Sequence, residues 1–281
     1  MTAEVSRLTT YTRSGLTFDV RDEGPIDGPV VVLLHGFPQD SSSWDRLVPY
    51  LHARGYRTVA PDQRGYSPGA RPKLRWSYRG SELAADTVAL IDAVGVGKVH
   101  LVGHDWGAGV AWEVAALRPD LLRTLTALSV PHPLAFVRAM VTSTQGLKSW
   151  YMAVFQLPIL PEWIISKTVV GQKVLVASGQ ASELARRDLE AMRSSGRLRG
   201  GLNWYRAMWM RNPKPRAVRI SVPTLHIWSD NDTAIGRKGS ELTPRFVDGP
   251  YRFEVLRGVS HWIPDEVPQQ LDRLLAEHLS G

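Results

Sequence analysis

Lys98-Val99-His100-Leu101-Val102-Gly103-His104-Asp105-Trp106-Gly107-Ala108-Gly109-Val110-Ala111-Trp112-Glu113 is the stretch on which the reading of this chain turns. It opens with an apolar run, passes through an aspartate flanked by two glycines, and continues as a helix-like segment. Strand, sharp turn and helix in that order form a nucleophile elbow, whose glycines leave room for strained backbone and whose central side chain is presented for attack. Elbows built for acyl transfer carry serine at the centre. Here the centre is Asp105, and a carboxylate attacks an alkyl carbon rather than an acyl carbon, leaving an ester of the enzyme itself. That residue points to the opening of an epoxide or the cleavage of a carbon–halogen bond. An aspartate between glycines is also ordinary turn chemistry, so the elbow needs support from the rest of the chain.

Working outward, residues 7–13 and 16–22 are short extended segments separated by Ser14-Gly15, a hairpin pattern at a sheet edge. Val30–Leu34 is continuously apolar and reads as a strand covered on both faces. It ends in His35-Gly36-Phe37-Pro38. Trp44, Leu47, Val48 and Leu51 have the spacing of one buried helix face closing near Gly55. A strand at Arg57–Ala60, a loop from Pro61 to Gly69 and a helix from about Tyr78 to Val94 precede the elbow; Arg123–Ser129 is the next strand. Alternating strands and helices predict an α/β fold, a mostly parallel sheet with helices on both faces. From Val130-Pro131-His132-Pro133 the pattern turns helical for about 85 residues, rich in Trp, Met and Arg. Strands resume at Pro223–Trp228 and Tyr251–Leu256, and the last helix spans about Pro264 to Leu279. The division is therefore a core in two parts, residues 1–130 and 221–281, with residues 131–220 as a helical lid over the carboxyl ends of the strands.

The 281 residues, 43% hydrophobic, suffice for one such core with an insertion. Met1–Arg7 lacks the apolar region of a secretory leader, and no apolar run approaches the ~20 residues that cross a bilayer. The chain has no cysteine, which excludes disulfides and thiolate chemistry and fits a reducing, cytoplasmic setting. Its formal charge of +7 is unevenly spread: residues 131–220 hold 14 Lys/Arg and 4 Asp/Glu, a balance of +10, and the remainder is −3. The lid cations, Arg186, Arg187, Arg193, Arg197, Arg199, Arg211, Lys214 and Arg216 among them, are scattered, without the aromatic-interleaved patch of a nucleic-acid module. Neither a nucleic acid nor a membrane is predicted as partner; a monomer or homodimer is.

An elbow nucleophile calls for an acid and then a histidine later in the chain. His261, in Gly258-Val259-Ser260-His261-Trp262 between the last strand and the last helix, is the predicted base; His226 lies within a strand and His278 on the terminal helix. Ser229-Asp230-Asn231-Asp232 follows a strand and offers two carboxylates. Asp232 is taken as the acid, and Asp230, immediately after the strand, as an Asx-turn. The backbone amides of Phe37 and Trp106 are the predicted oxyanion hole. The eight histidines show no metal-ligand spacing and no glycine-rich phosphate loop follows a strand, so no metal or other cofactor is predicted.

With these residues in place the chain resembles the soluble epoxide hydrolases of the α/β-hydrolase fold over nearly its whole length. The resemblance rests on His-Gly-Phe-Pro at 35–38, Asp62-Gln63-Arg64-Gly65-Tyr66-Ser67, Gly-His-Asp-Trp-Gly at 103–107 and Gly258–Trp262. Ser149-Trp150-Tyr151-Met152-Ala153-Val154-Phe155-Gln156-Leu157-Pro158 and Leu202-Asn203-Trp204-Tyr205-Arg206 look like the family's two lid-tyrosine segments. It implies that Tyr151 and Tyr205 hold the epoxide oxygen. Trp150, Phe155 and Trp204, with Trp163, Met208 and Trp209, are the aromatic and apolar side chains expected to shape an apolar pocket, and the substrate expected is an apolar epoxide together with water.

Two other readings remain at this level. Haloalkane dehalogenases use the same Asp–His–Asp logic, and Trp106 could offer an indole N–H to a halide; Phe37 stands where those enzymes commonly resemble His-Gly-Asn-Pro. Fluoroacetate dehalogenases resemble the chain at His-Gly-Phe-Pro but follow the nucleophile with arginine, where this chain has Trp106. A non-catalytic ligand-binding protein of the same fold would usually lack a member of the triad.

Overall fold

Eight strands form one sheet in the computed structural model, which describes residues 6–166, 169–194, 196–210 and 219–280. Arg211, Lys214 and Arg216 of the basic segment lie outside the described residues. In chain order the strands are β1 (Thr10–Arg13), β2 (Leu16–Glu23), β3 (Val30–Leu34), β4 (Arg57–Pro61), β5 (Val99–His104), β6 (Leu122–Leu128), β7 (Thr224–Ser229) and β8 (Tyr251–Leu256). In space they run β1-β2-β4-β3-β5-β6-β7-β8. The pairings of β1 with β2 and of β2 with β4 are antiparallel; from β4 to β8 every pairing is parallel. The edge hairpin turns at Ser14 and Gly15, with φ of 50° and 76°, the left-handed pair that a two-residue hairpin requires.

The continuous apolar runs behave as predicted for strands covered twice over: β3, β4 and β5 are buried at every position. Successive residues of β3 serve opposite faces. Val30, Val32 and Leu34 join a core with Leu90, Ile91, Ala111 and Trp112, drawn from helices α2 (Gly80–Val94) and α3 (Trp106–Leu117). Val31 and Leu33 join a second core with Leu51, Leu271 and Leu275. These come from α1 (Val48–Ala53), which precedes α2 in the chain, and from the last helix. Between β6 and β7 lie α4 (Pro133–Thr142), α5 (Gln145–Lys148), α6 (Trp150–Val154), α7 (Leu160–Ser166), α8 (Val169–Ala177), α9 (Ser182–Ser194) and α10 (Arg197–Ala207). After β7 come α11 (Arg237–Leu242), α12 (Ile263–Glu266) and α13 (Pro268–Leu279).

Proline accounts for the places where helices are shorter than their apolar spacing suggests. The face carried by Trp44, Leu47, Val48 and Leu51 is split into a 3-10 turn at Ser41–Trp44 and α1, which has Pro49 in its first turn. Without an N–H, Pro49 cannot bond the carbonyl four residues earlier, and its ring would clash there. Pro268 divides α12 from α13 in the same way, so the predicted last helix is two. The helix predicted from Tyr78 begins at Gly80, because Arg79 is extended (φ −61°, ψ 150°), and it closes on left-handed Gly95.

Helix α10 is seated on the core by specific contacts. A Cβ at Gly200 would lie 2.4 Å from the Gly65 carbonyl oxygen, so the helix and the 62–67 loop meet backbone to backbone. Trp204 donates its indole N–H to the Arg64 carbonyl at 2.8 Å, and Arg197 pairs with Asp62 at 2.8 Å and with Asp40. The loop is held in turn by Arg64, whose guanidinium meets both carboxylate oxygens of Asp86 on α2 at 2.7 Å.

Candidate active site

Strand β5 ends at His104, α3 begins at Trp106, and Asp105 occupies the single residue between them with φ 51° and ψ −121°. Such a conformation is costly for a residue with a Cβ and persists only where its surroundings enforce it. The flanking glycines do so. A Cβ at Gly103 would stand 2.3 Å from the Gly107 carbonyl oxygen, and one at Gly107 would stand 2.0 Å from the Leu34 carbonyl oxygen. The elbow is thus pressed against the end of β3, where His35–Pro38 begins.

That contact brings Asp105 under the Phe37 amide, which donates to Oδ1 at 2.9 Å. The other carboxylate oxygen, Oδ2, lies 3.4 Å from Nε2 of His261, and Nδ1 of His261 lies 2.7 Å from Oδ2 of Asp232. Asp232 is fixed through Oδ1, which accepts the N–H groups of Ala234 and Ile235 at 2.8 Å each. The Asx-turn is therefore made by Asp232. Asp230, expected in that role, accepts the Gly258 amide at 2.6 Å and ties the acid loop to the histidine loop. The reason is that β7 and β8 are neighbours in the sheet, so the first residue beyond β7 faces the loop after β8.

Burial acts to raise the Asp105 carboxyl, but the hydrogen bond and charge of His261, the nearby His104 and the Trp106 amide outweigh it and leave it below the usual aspartate range. Burial likewise opposes the charged imidazole of His261. Asp232 and Asp105, one on each nitrogen, reverse that and push it up to about 10. At neutral pH the Asp105 carboxylate therefore faces an imidazolium.

Above Asp105 sits a cage of aromatic rings contributed by the helical insertion. Tyr205 of α10 meets Trp106, Phe37 and Phe155 edge-on, with ring centroids 5.0, 5.4 and 4.9 Å away, and Tyr151 of α6 at 6.1 Å. Burial first, and then the charge of Asp105, hold both tyrosines well above their ordinary range. They are protonated donors throughout the physiological range.

This geometry has clear relatives. The model of the alpha/beta hydrolase fold family matches residues 29–268. The AB hydrolase superfamily protein YfhM of Bacillus subtilis is 36% identical over 277 residues, covering 95% of this chain and 96% of that one. Epoxide hydrolase A of Mycobacterium tuberculosis is 32% identical over 310 residues, covering 95% of each. The chain belongs to the epoxide hydrolase family of the α/β-hydrolase fold. Among solved structures, one described as novel epoxide hydrolases of the alpha/beta hydrolases superfamily in metagenomes from hot environments is similar to this family member with a TM-score of 0.85. That pair is 29% identical, and the likeness covers 100% of both chains.

In this epoxide hydrolase family member Asp105, His261, Asp232, Tyr151, Tyr205, Phe37, Trp106 and Phe155 come together around one point. Trp204 lies behind it, buried edge-on against Trp106 and Tyr66. Trp150 does not join them. It is 67% exposed, because neighbours on a helix point about 100° apart and Tyr151 takes the inward direction. Trp163 and Trp209 are exposed as well. His226 and His278 bond backbone carbonyls within the core, at Ala127 and Leu125. One participant escapes the sequence reading: His104. Its Nε2–H donates to the His261 carbonyl at 2.8 Å, and burial, followed by the His261 charge, drives it down to about 4 and keeps it neutral. Its place directly before the nucleophile was the available signal.

Proposed function

We propose that the protein hydrolyses an apolar epoxide to a vicinal diol through a covalent ester of Asp105, with residues 131–220 acting as the lid. Asp105 Oδ2 attacks a ring carbon and the carbon–oxygen bond breaks toward oxygen. Tyr151 or Tyr205 gives its proton to that oxygen, since an alkoxide is a poor leaving group unless a donor meets it. The tyrosinate recovers a proton from the His261 imidazolium, whose charge is less favoured once Asp105 is a neutral ester. Neutral His261, oriented by Asp232, then takes a proton from water as the water attacks the Asp105 carboxyl carbon. Oδ1, which accepts the Phe37 amide, carries the developing negative charge, with the neighbouring Trp106 amide as the second donor of the proposed oxyanion hole. Collapse breaks the bond between the carboxyl carbon and Oδ2, and the departing alkoxide takes the His261 proton to complete the diol. The Asp105 carboxyl then returns its own proton to His261, restoring the carboxylate and the imidazolium. A cytoplasmic setting is part of the reading, on the ground of a chain without cysteine.

The observation that carries this reading is the Asp105 carboxylate divided between its two neighbours, Oδ1 on the Phe37 amide and Oδ2 toward His261, beneath two protonated tyrosines. Halide cleavage is supported less well. Trp106, the side chain that would hold a halide, meets Tyr205 edge-on at 5.0 Å, and the two tyrosine hydroxyls suit an oxygen leaving group rather than a halide. Purified protein should be assayed against styrene oxide, an aliphatic epoxide and a brominated alkane, following diol and bromide, with Asp105→Ala as control. Diol release lost in the variant supports the proposal; bromide without diol replaces it with a dehalogenase, and tight binding without turnover with a carrier.

A further inference from the structure

The insertion carries apolar side chains on its outer surface as well as its inner one. On α8, Val170, Lys173 and Val174 are exposed at helical spacing, flanked by exposed Val169 and Val176. Helix α7 packs against α8 and adds exposed Leu160 and Trp163, and the turn before it adds Leu157 and Ile159. On α4, Leu134, Val137 and Val141 stand exposed around Arg138 in the same pattern. A surface helix of a globular domain turns such a stripe inward and faces water with polar residues. Clustered exposure of this kind marks a surface that meets something. Ile159 sharpens the point: it is 77% exposed and has φ 69°, a conformation that β-branched residues rarely adopt. Glycine would sit there without strain, so the outward isoleucine is held at a conformational cost.

Charge selects the occupant. Among the described residues of 131–220 there are ten Lys/Arg and four acids, and of those cations Arg197 and Arg219 pair with acids of the core. The insertion therefore keeps a positive balance that draws it to an anionic surface and repels a second copy. Among the described residues of 133–177 there are three Lys/Arg (Arg138, Lys148 and Lys173) and one acid, Glu162, which Arg206 already engages. Exposed tryptophan with aliphatic neighbours and interspersed cations is the composition that lies in a lipid–water interface. We propose that the outer face of α7 and α8, with the turn that carries Ile159, docks peripherally on an anionic phospholipid bilayer. Tyr151 lines the inner side of the same insertion, so docking brings the cage next to the phase in which an apolar substrate concentrates. This departs from the expectation of no membrane partner; among the described residues no helix is long and apolar enough to cross a membrane, and peripheral docking needs none. The inference goes beyond the hydrolysis proposed above and is read without turnover.

The test is flotation of the full chain with vesicles of phosphatidylcholine alone and of phosphatidylcholine mixed with phosphatidylglycerol, at low and high salt. Wild type should float with the mixed vesicles, several-fold less with phosphatidylcholine, and less again as salt screens the attraction. Ile159→Gly, which relieves the backbone, should keep its thermal midpoint and its hydrolysis of a water-soluble epoxide yet lose most vesicle binding. Val174→Asp and Lys173→Glu should do the same. Failure of wild type to float with either vesicle overturns the proposal. So does a dimer in sedimentation that Val174→Asp dissociates, which would assign the face to a second copy.

Discussion

Nε2 of His261 stands 3.4 Å from Oδ2 of Asp105, and that separation governs how the site responds to pH. With a carboxylate on either side the imidazole is raised to about 10, far above its unfolded value of ~6.5. A group raised by folding stabilises fully below its unfolded value and loses that contribution as pH rises through its folded one. The thermal midpoint of wild type should therefore fall between pH ~6.5 and about 10 more steeply than that of His261→Gln, which has no proton to lose there. Parallel slopes in paired thermal melts would remove the imidazolium from the resting site.

The same charge arrangement separates the two chemical steps. Asp105 is held below the usual aspartate range, so its alkylation should not change with pH across the neutral region. On the proposed mechanism ester hydrolysis uses neutral His261, so it should quicken as pH rises until the imidazole of the ester form is fully deprotonated. Rapid-quench measurement of ester formation and of its decay at several pH values distinguishes the two.

Tyr151 and Tyr205 are both kept protonated, and each can meet the leaving oxygen. Replacing either with phenylalanine should slow alkylation by roughly 10²-fold, the lower end of what general-acid assistance supplies. The double replacement should cost more, and an aliphatic epoxide should suffer more than styrene oxide, whose benzylic carbon tolerates positive charge. A double variant with unchanged alkylation would return the tyrosines to packing.

Gly200 couples the insertion to the core. A methyl there would meet the Gly65 carbonyl oxygen at 2.4 Å, so Gly200→Ala must lift α10. Overpacking of this kind costs about 1–3 kcal/mol, visible in denaturant melts. Tyr205 lies further along α10, so kcat should fall with stability, whereas Gly109→Ala, whose added methyl meets nothing within 4 Å, should leave both unchanged.

A buried acid pair gives a fifth prediction. Gln39 donates to Asp265 at 2.7 Å and to Asp188 at 3.2 Å, joining the loop after β3, α12 and α9. Burial, partly opposed by Gln39 and reinforced by Asp188, raises Asp265 to about 6. The folded chain thus holds an extra proton between the unfolded value of ~3.9 and about 6, and loses stability as pH rises through that window. Asp265→Asn, neutral throughout, should flatten the thermal midpoint across it.

Much of this site was legible because its parts are local. The Gly103–Gly107 turn, the loop after β3 and the loops after β7 and β8 each declare themselves by a strand followed by chemistry-bearing residues, and a parallel sheet delivers strand ends to one edge. What sequence could not give is direction within the insertion. Tyr151 and Trp150 differ by one position on a helix, and apolar spacing alone does not say which faces the core when both faces are apolar. Nor does composition reveal which of two aspartates in the 229–232 segment bonds its own loop, since that depends on the register of β7 with β8. The proline breaks in α1 and before α13 were readable, and the apolar periodicity masked them.

The central claim is that Asp105 becomes esterified. Intact-mass spectrometry of His261→Gln after incubation with styrene oxide tests it most directly. The account predicts that the protein gains the mass of one styrene oxide, that peptide mapping puts the gain on Asp105, and that little diol accumulates. Absence of an adduct with diol still forming, or an adduct that persists when Asp105 is also replaced by alanine, would contradict it.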